Sequence, residues 1–198
     1  MSMLMSLKRC ADEQIQQLLA CPELIEAFTA PADMPALQPA RPGFFARLLG
    51  VRPQAPAPSA KLPEDWPKAE EADELDLDKA WHGLHYLLTG SDWEGDWPLG
   101  FLVAHGTEVG DVDVGYGPAR VFTSAQVQEI SQALESLTAD DLRARYDPAR
   151  MMELDVYPTV WDSEQDEARE WLVEPLPALS DFVAETARQG KGLVLWLG

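Results

Sequence analysis

An α+β fold follows from three features of this 198-residue chain: an alternating apolar segment at its start, an apolar segment at its end, and helical periodicities between them. The expected architecture is a small mixed sheet that includes the N- and C-terminal strands, packed by several helices. Met3, Met5 and Leu7 alternate with Leu4, Ser6 and Lys8, which suits a short strand with one buried face. The period then lengthens. Asp12 can cap a helix carrying Ile15, Leu18 and Leu19, and Pro22 opens another turn with Leu24, Ile25 and Phe28. Further on, "ARVF" at 119–122 reads as a strand, and Thr123 with Gln126 forms a capping-box pattern ahead of Val127, Ile130, Leu134 and Leu137. Thr138 restarts a helix that is interrupted before Pro148. Acidic first-turn residues Glu164, Asp166 and Glu167, a break near Pro175 and Pro177, and a stop at Gly190 supply two more helices. The closing "KGLVLWLG" is too short for anything but a strand.

With 46% hydrophobic residues the chain can bury one sizeable core, and residues 1–198 are read as one domain. Residues 31–63 hold eight of the sixteen prolines, so this stretch is expected to be an excursion or linker outside the core. Within it, Phe44, Phe45, Leu48 and Leu49 are mixed with Arg41, Arg47 and Arg52, a short amphipathic island that could touch a membrane surface or a partner but better suits packing back onto the domain. No apolar run approaches the roughly 20 residues needed to span a bilayer, and the expected location is the cytoplasm. Cys10 and Cys21 lack disulfide-framework or metal-ligand spacing and are read as reduced, part-buried thiols.

Net charge is −19 and unevenly placed: residues 1–61 hold five acids and six bases, whereas residues 62–198 hold 29 acids and nine bases. Such a body repels nucleic acid and anionic lipid and attracts a basic protein.

The stretch "LDLDKAWHGLHYLLTG", residues 75–90, concentrates the polar chemistry. Leu77, Trp81, Leu84 and Leu88 form a buried helical stripe, with Asp76 or Asp78 as cap and Gly90 just past the end. A neighbouring stripe is Asp78, His82, His85 and Thr89. It admits a metal site, a histidine acid–base oriented by Asp78 or Asp76, or a core helix whose His85 bonds to buried backbone. The structural reading is preferred, because the only other histidine is His105 and no nucleophile is identifiable; no metal or cofactor is expected. Residues 92–118 read as a glycine-rich loop in which Trp93 and Trp97 stand beside Glu94 and Asp96, followed by Asp111 and Asp113. Aromatic and acidic clustering of this kind suits a protein interface or a cationic ligand held by cation–π contacts.

"DLDKAWHGLHYLLTG", "PLGFLVAHG", "GYGPARVFT", "VYPTVWD" and the terminal "GLVLWLG", in this order, resemble the YfbM-like family of bacterial proteins, also called DUF1877. The resemblance implies an α+β fold and no established activity. Its signature maps to Asp76, Asp78, Lys79, Trp81, Leu84, His85, Leu88, Thr89 and Gly90, with further elements at Gly115, Tyr116, Gly117, Tyr157 and Pro158. His82 falls on an open position, which weighs against a two-histidine metal site. Where the family implies a second glycine this chain has His105, so any role of His105 is particular to this protein.

The leading expectation is a non-enzymatic, partner-binding protein, most concretely an immunity or inhibitor protein that neutralises a basic toxin such as a nuclease. Its contact residues would be Trp93, Glu94, Asp96, Trp97, Asp111, Asp113, Trp161 and Asp162. The alternative is a small-molecule-binding protein or hydrolase with a pocket joining Asp76, Asp78, His85, Tyr116 and Tyr157.

Overall fold

Five antiparallel strands build the sheet: β1 (Met5–Cys10), β2 (Glu74–Asp76), β3 (Thr107–Asp113), β4 (Pro118–Phe122) and β5 (Gly192–Leu197), in spatial order β2-β1-β5-β4-β3. The computed structural model describes residues 2–30, 61–63, 66–67, 70–161 and 165–198. The amphipathic island at 41–52 and almost all of the proline-rich stretch lie outside the described residues. The α+β class stands, but where mixed pairing was expected every ladder is antiparallel. The first and last strands pair along their full length, from Met5 opposite Leu197 to Cys10 opposite Gly192.

Both faces of the central strands are buried, so each face needs its own cover. On one side, α1 (Asp12–Ala20) and α2 (Ile25–Thr29) place Ile15, Leu18, Ile25 and Phe28 against Cys10, Ala119, Val121 and Val194. On the other, Met5, Leu7, Leu193, Leu195 and Phe122 meet a larger helical layer. That layer comprises α3 (Trp81–Thr89), α4 (Ser124–Glu135), α5 (Ala139–Arg145), α6 (Pro148–Glu153), α7 (Gln165–Val173) and α8 (Pro175–Arg188). Lys8, expected on an open face, is instead covered by α2: its Nζ donates to the Phe28 carbonyl at 3.2 Å and lies 3.5 Å from Glu74. A chain entering the middle of a sheet has no solvated side, and the lysine is tolerated because its charge is paired.

Asp12 is the first residue of α1 rather than its cap. Its carboxylate accepts from the Ser124 backbone N–H at 2.8 Å and hydroxyl at 2.6 Å, tying the start of α1 to the start of α4. The Thr123 box forms as the sequence indicates, with Gln126 Oε1 accepting from the Thr123 N–H. Thr138 caps α5 in the same way through Asp141. Gly83 lets α3 approach α7, since a Cβ there would meet a Leu172 methyl at 2.4 Å.

Candidate functional site

Helix α3 ends at Gly90, whose φ of 77° turns the chain back along the helix it has just left. Three histidines hold the returning segment. Nε2 of His82 lies 2.9 Å from the Asp92 carbonyl, that of His85 is 2.9 Å from the Glu94 carbonyl, and that of His105 is 2.8 Å from the Gly95 carbonyl. A carbonyl only accepts, so each Nε2 carries the proton. His82 Nδ1 is then free to accept from the Tyr157 N–H at 3.0 Å. His85 Nδ1 is buried with no partner among the described residues. Burial pushes both of these imidazoles below their ordinary pKa, His85 to about 4, so they stay neutral at physiological pH. The reading of α3 as a core helix whose His85 bonds to backbone describes this geometry. Asp76 and Asp78 do not cap it: Asp76 Oδ1 accepts from the Asp78 N–H at 2.7 Å in a local turn, and a 3-10 turn from Asp78 to Ala80 leads into the helix.

The clamped segment presents Trp93, which is 53% exposed. One side of its indole rests on His82, with ring centroids 4.5 Å apart, and on Trp81 at 6.0 Å. Across from it stands Tyr116, 42% exposed, at the tip of the β3–β4 hairpin. Tyr116 is fixed by its N–H donating to the Leu197 carbonyl at 3.1 Å, and the tip is shaped by Asp113 Oδ1 accepting from the N–H groups of Gly115 and Gly117. Those two bonds hold the Asp113 carboxyl below its ordinary pKa. Between the two aromatics lies a cavity of about 190 Å³ whose walls include Trp81, Trp93, Glu108, Tyr116, Arg120 and Leu195.

The cavity has a simple origin in the sheet. Leu75, Leu7, Leu195, Arg120 and Glu108 stand side by side in register across all five strands, passing from apolar to charged toward the β3 edge. The leucines are under the helical layer. At the charged end Arg120 Nη1 donates to the carbonyls of Phe101, Val103 and His105, at 3.4, 2.8 and 2.5 Å, and Nη2 donates to that of Leu102. Burial pulls the Arg120 pKa down to about 10, opposed by the charge of Glu108. Its guanidinium therefore sits in a cup of carbonyl dipoles and fastens residues 101–105 to β4.

The residues expected to dock a partner divide. Trp93, Glu94, Asp96, Asp111 and Asp113 are exposed, and none of these carboxylates makes an ion pair among the described residues. Trp97 is half-buried: it stacks on Phe122 at 6.1 Å, and its N–H donates to Glu129 at 2.6 Å. Trp161 is fully buried, its N–H donating to the Val156 carbonyl at 2.6 Å and its ring stacked on Trp171. Its acidic neighbours in the sequence suggested a surface, but an indole with its one donor satisfied gains most from burial. Asp162 lies outside the described residues. Of the five groups of the alternative pocket, Tyr116 alone lines the cavity. Asp76, the last residue of β2, and Asp78 just after it are exposed, His85 is enclosed in the core, and Tyr157 stacks on Trp81 with its hydroxyl accepting from the Met3 N–H at 3.2 Å. Glu108 and Arg120 were not foreseen. The placement of Arg120 between Ala119 and Val121 in a predicted strand was the available signal.

Among the described residues no helix is long and apolar enough to cross a membrane. No curated protein matches the chain. A solved structure does: a protein of unknown function, YfbM from Escherichia coli, is similar with a TM-score of 0.62 at 20% identity, covering 98% of this chain and 99% of that one. The model of a domain of unknown function, DUF1877, matches residues 1–196. The chain thus belongs to the DUF1877 family, as a YfbM-like member.

Proposed function

We propose that this protein is a non-enzymatic docking protein that captures a basic protein partner on the face formed by Trp93, Glu94, Asp96 and the β3–β4 hairpin. Its most concrete form is an immunity or inhibitor protein that covers the nucleic-acid site of a basic toxin such as a nuclease. The observation that carries the reading is Trp93: a large indole, more than half exposed, is held by the histidine clamp among carboxylates that make no ion pair among the described residues. An exposed aromatic fixed in advance loses little entropy on binding and is the residue type most often found at the energetic centre of an interface. The surrounding negative charge speeds encounter with a basic surface and repels nucleic acid that competes for it.

The test compares capture from native lysate by the wild-type protein and by the variant Trp93→Ala with Glu94→Gln and Asp96→Asn. The reading expects a basic protein retained by the wild type at low ionic strength, lost with the variant, and inhibited in its own activity when the purified pair is assayed. Absence of any basic partner, or equal retention by the variant, overturns it.

A further inference from the structure

The cavity between Trp93 and Tyr116 is too small for a metabolite-sized ligand, since sites enclosing a whole small molecule run to roughly 300–1,000 Å³, whereas this one is about 190 Å³. It has room for one side chain. Its entrance is walled by two aromatic residues that are 53% and 42% exposed, and Glu108 is an exposed carboxylate without an ion pair among the described residues. The positive charge in the wall, Arg120, is committed chiefly to the protein itself: its guanidinium donates to four backbone carbonyls, three from Nη1 and one from Nη2, and Glu108 stands in register with it across the strand pair. The groups left facing the opening are one side of an indole, a phenol ring and a carboxylate that makes no direct ion pair among the described residues, all within a protein of net charge −19. Those are the groups that receive a cation on an aliphatic stem: the ring faces attract the charge, the apolar wall at Leu195 takes the methylenes, and Glu108 pairs with the head.

The geometry points to this cavity as the seat of a single lysine or arginine side chain from the partner, bound by Trp93, Tyr116 and Glu108. The inference rests on the docking reading and gives it an anchor point. It is tested on the full chain with butylguanidinium and butylammonium as probes, following the Trp93 indole N–H and the Tyr116 backbone amide by NMR, with butanol and butyrate as neutral and anionic controls. Saturable shifts with the two cations, absent with the controls, are expected. Glu108→Gln, a change at an exposed position, should weaken the cation about two- to fivefold, the range of an exposed ion pair, and Trp93→Ala should abolish the response at Tyr116. Equal shifts with butanol would make the cavity merely apolar, and shifts with butyrate alone would make it an Arg120 anion site. Either result, or no shift at all, overturns the inference. A basic partner captured equally well by Glu108→Gln and Tyr116→Ala would sink the anchor and leave the docking reading standing. Cation binding without any captured partner would do the reverse.

Discussion

His85 is wholly buried with one ring nitrogen bonded to the Glu94 carbonyl and the other without a partner among the described residues, so adding a proton to it places a charge in the core. Because the folded protein holds this group near 4 against an ordinary 6.5, the unfolded chain takes up the proton first as acid is added. The stabilisation is complete above pH 6.5 and is lost as pH falls toward 4, a change on the order of 2–3 kcal/mol. Denaturant unfolding at successive pH values should show that decline, and His85→Gln, whose amide can still donate to Glu94, should be less stable at pH 7 but flatter below it. An unchanged slope in the variant would assign the acid sensitivity elsewhere. The stripe of Leu77, Trp81, Leu84 and Leu88 was legible as buried from spacing alone, and all four are buried, although Leu77 stands ahead of the 3-10 turn that leads into α3 rather than on the helix. That His85 bonds to buried backbone was legible, but which carbonyls His82, His85 and His105 hold was not, because a backbone partner leaves no mark on residue identity.

Helix starts depend on a few local bonds: the caps at Thr123 and Thr138 were legible in the sequence, whereas Asp12 and the aspartates before α3 do not cap. Thr123→Ala should cost about 1 kcal/mol by leaving the first turn of α4 uncapped, measurable as a lower urea midpoint with the slope unchanged. Asp12→Ala should cost about 1–2 kcal/mol, because the Ser124 N–H loses its acceptor, and Asp12→Asn should restore part of it; equal losses for the two would mean that the Ser124 contact contributes nothing. That role of Asp12 joins residues far apart in the chain and no local pattern announces it. Among strands, the central ones were visible as β1, β4 and β5, whereas the edges β2 and β3 were not. "ELD" and "TEVGDVD" are short or acidic, and β3 carries a register shift and Gly110 at φ 59°. Those traits protect a free edge from pairing with another chain, and they are the same traits that disguise a strand as a loop. Asp111→Val should therefore promote concentration-dependent self-association in sedimentation, leaving unfolding little changed.

A net charge of −19 spread over the surface works against compaction through self-repulsion. Added sodium chloride should raise the thermal midpoint while weakening capture of a basic partner, and a midpoint that falls with salt would show that local ion pairs such as Arg143 with Glu170 outweigh the repulsion. The layering was foreseeable only in part: helices and a sheet follow from periodicity, but nothing in the order of elements says that α1 and α2 take one face alone. The pairing of β1 with β5 also contributes to the cavity. Leu4 and Gly198 exchange two backbone hydrogen bonds of 2.9 Å, and Met5 and Leu197 both line the cavity. Cys21 is exposed on the α1–α2 side of the sheet, while Cys10 is buried, its thiol pushed up to about 12 chiefly by that burial. A maleimide linker at neutral pH would therefore react at Cys21 and immobilise the protein with its aromatic face turned to solution.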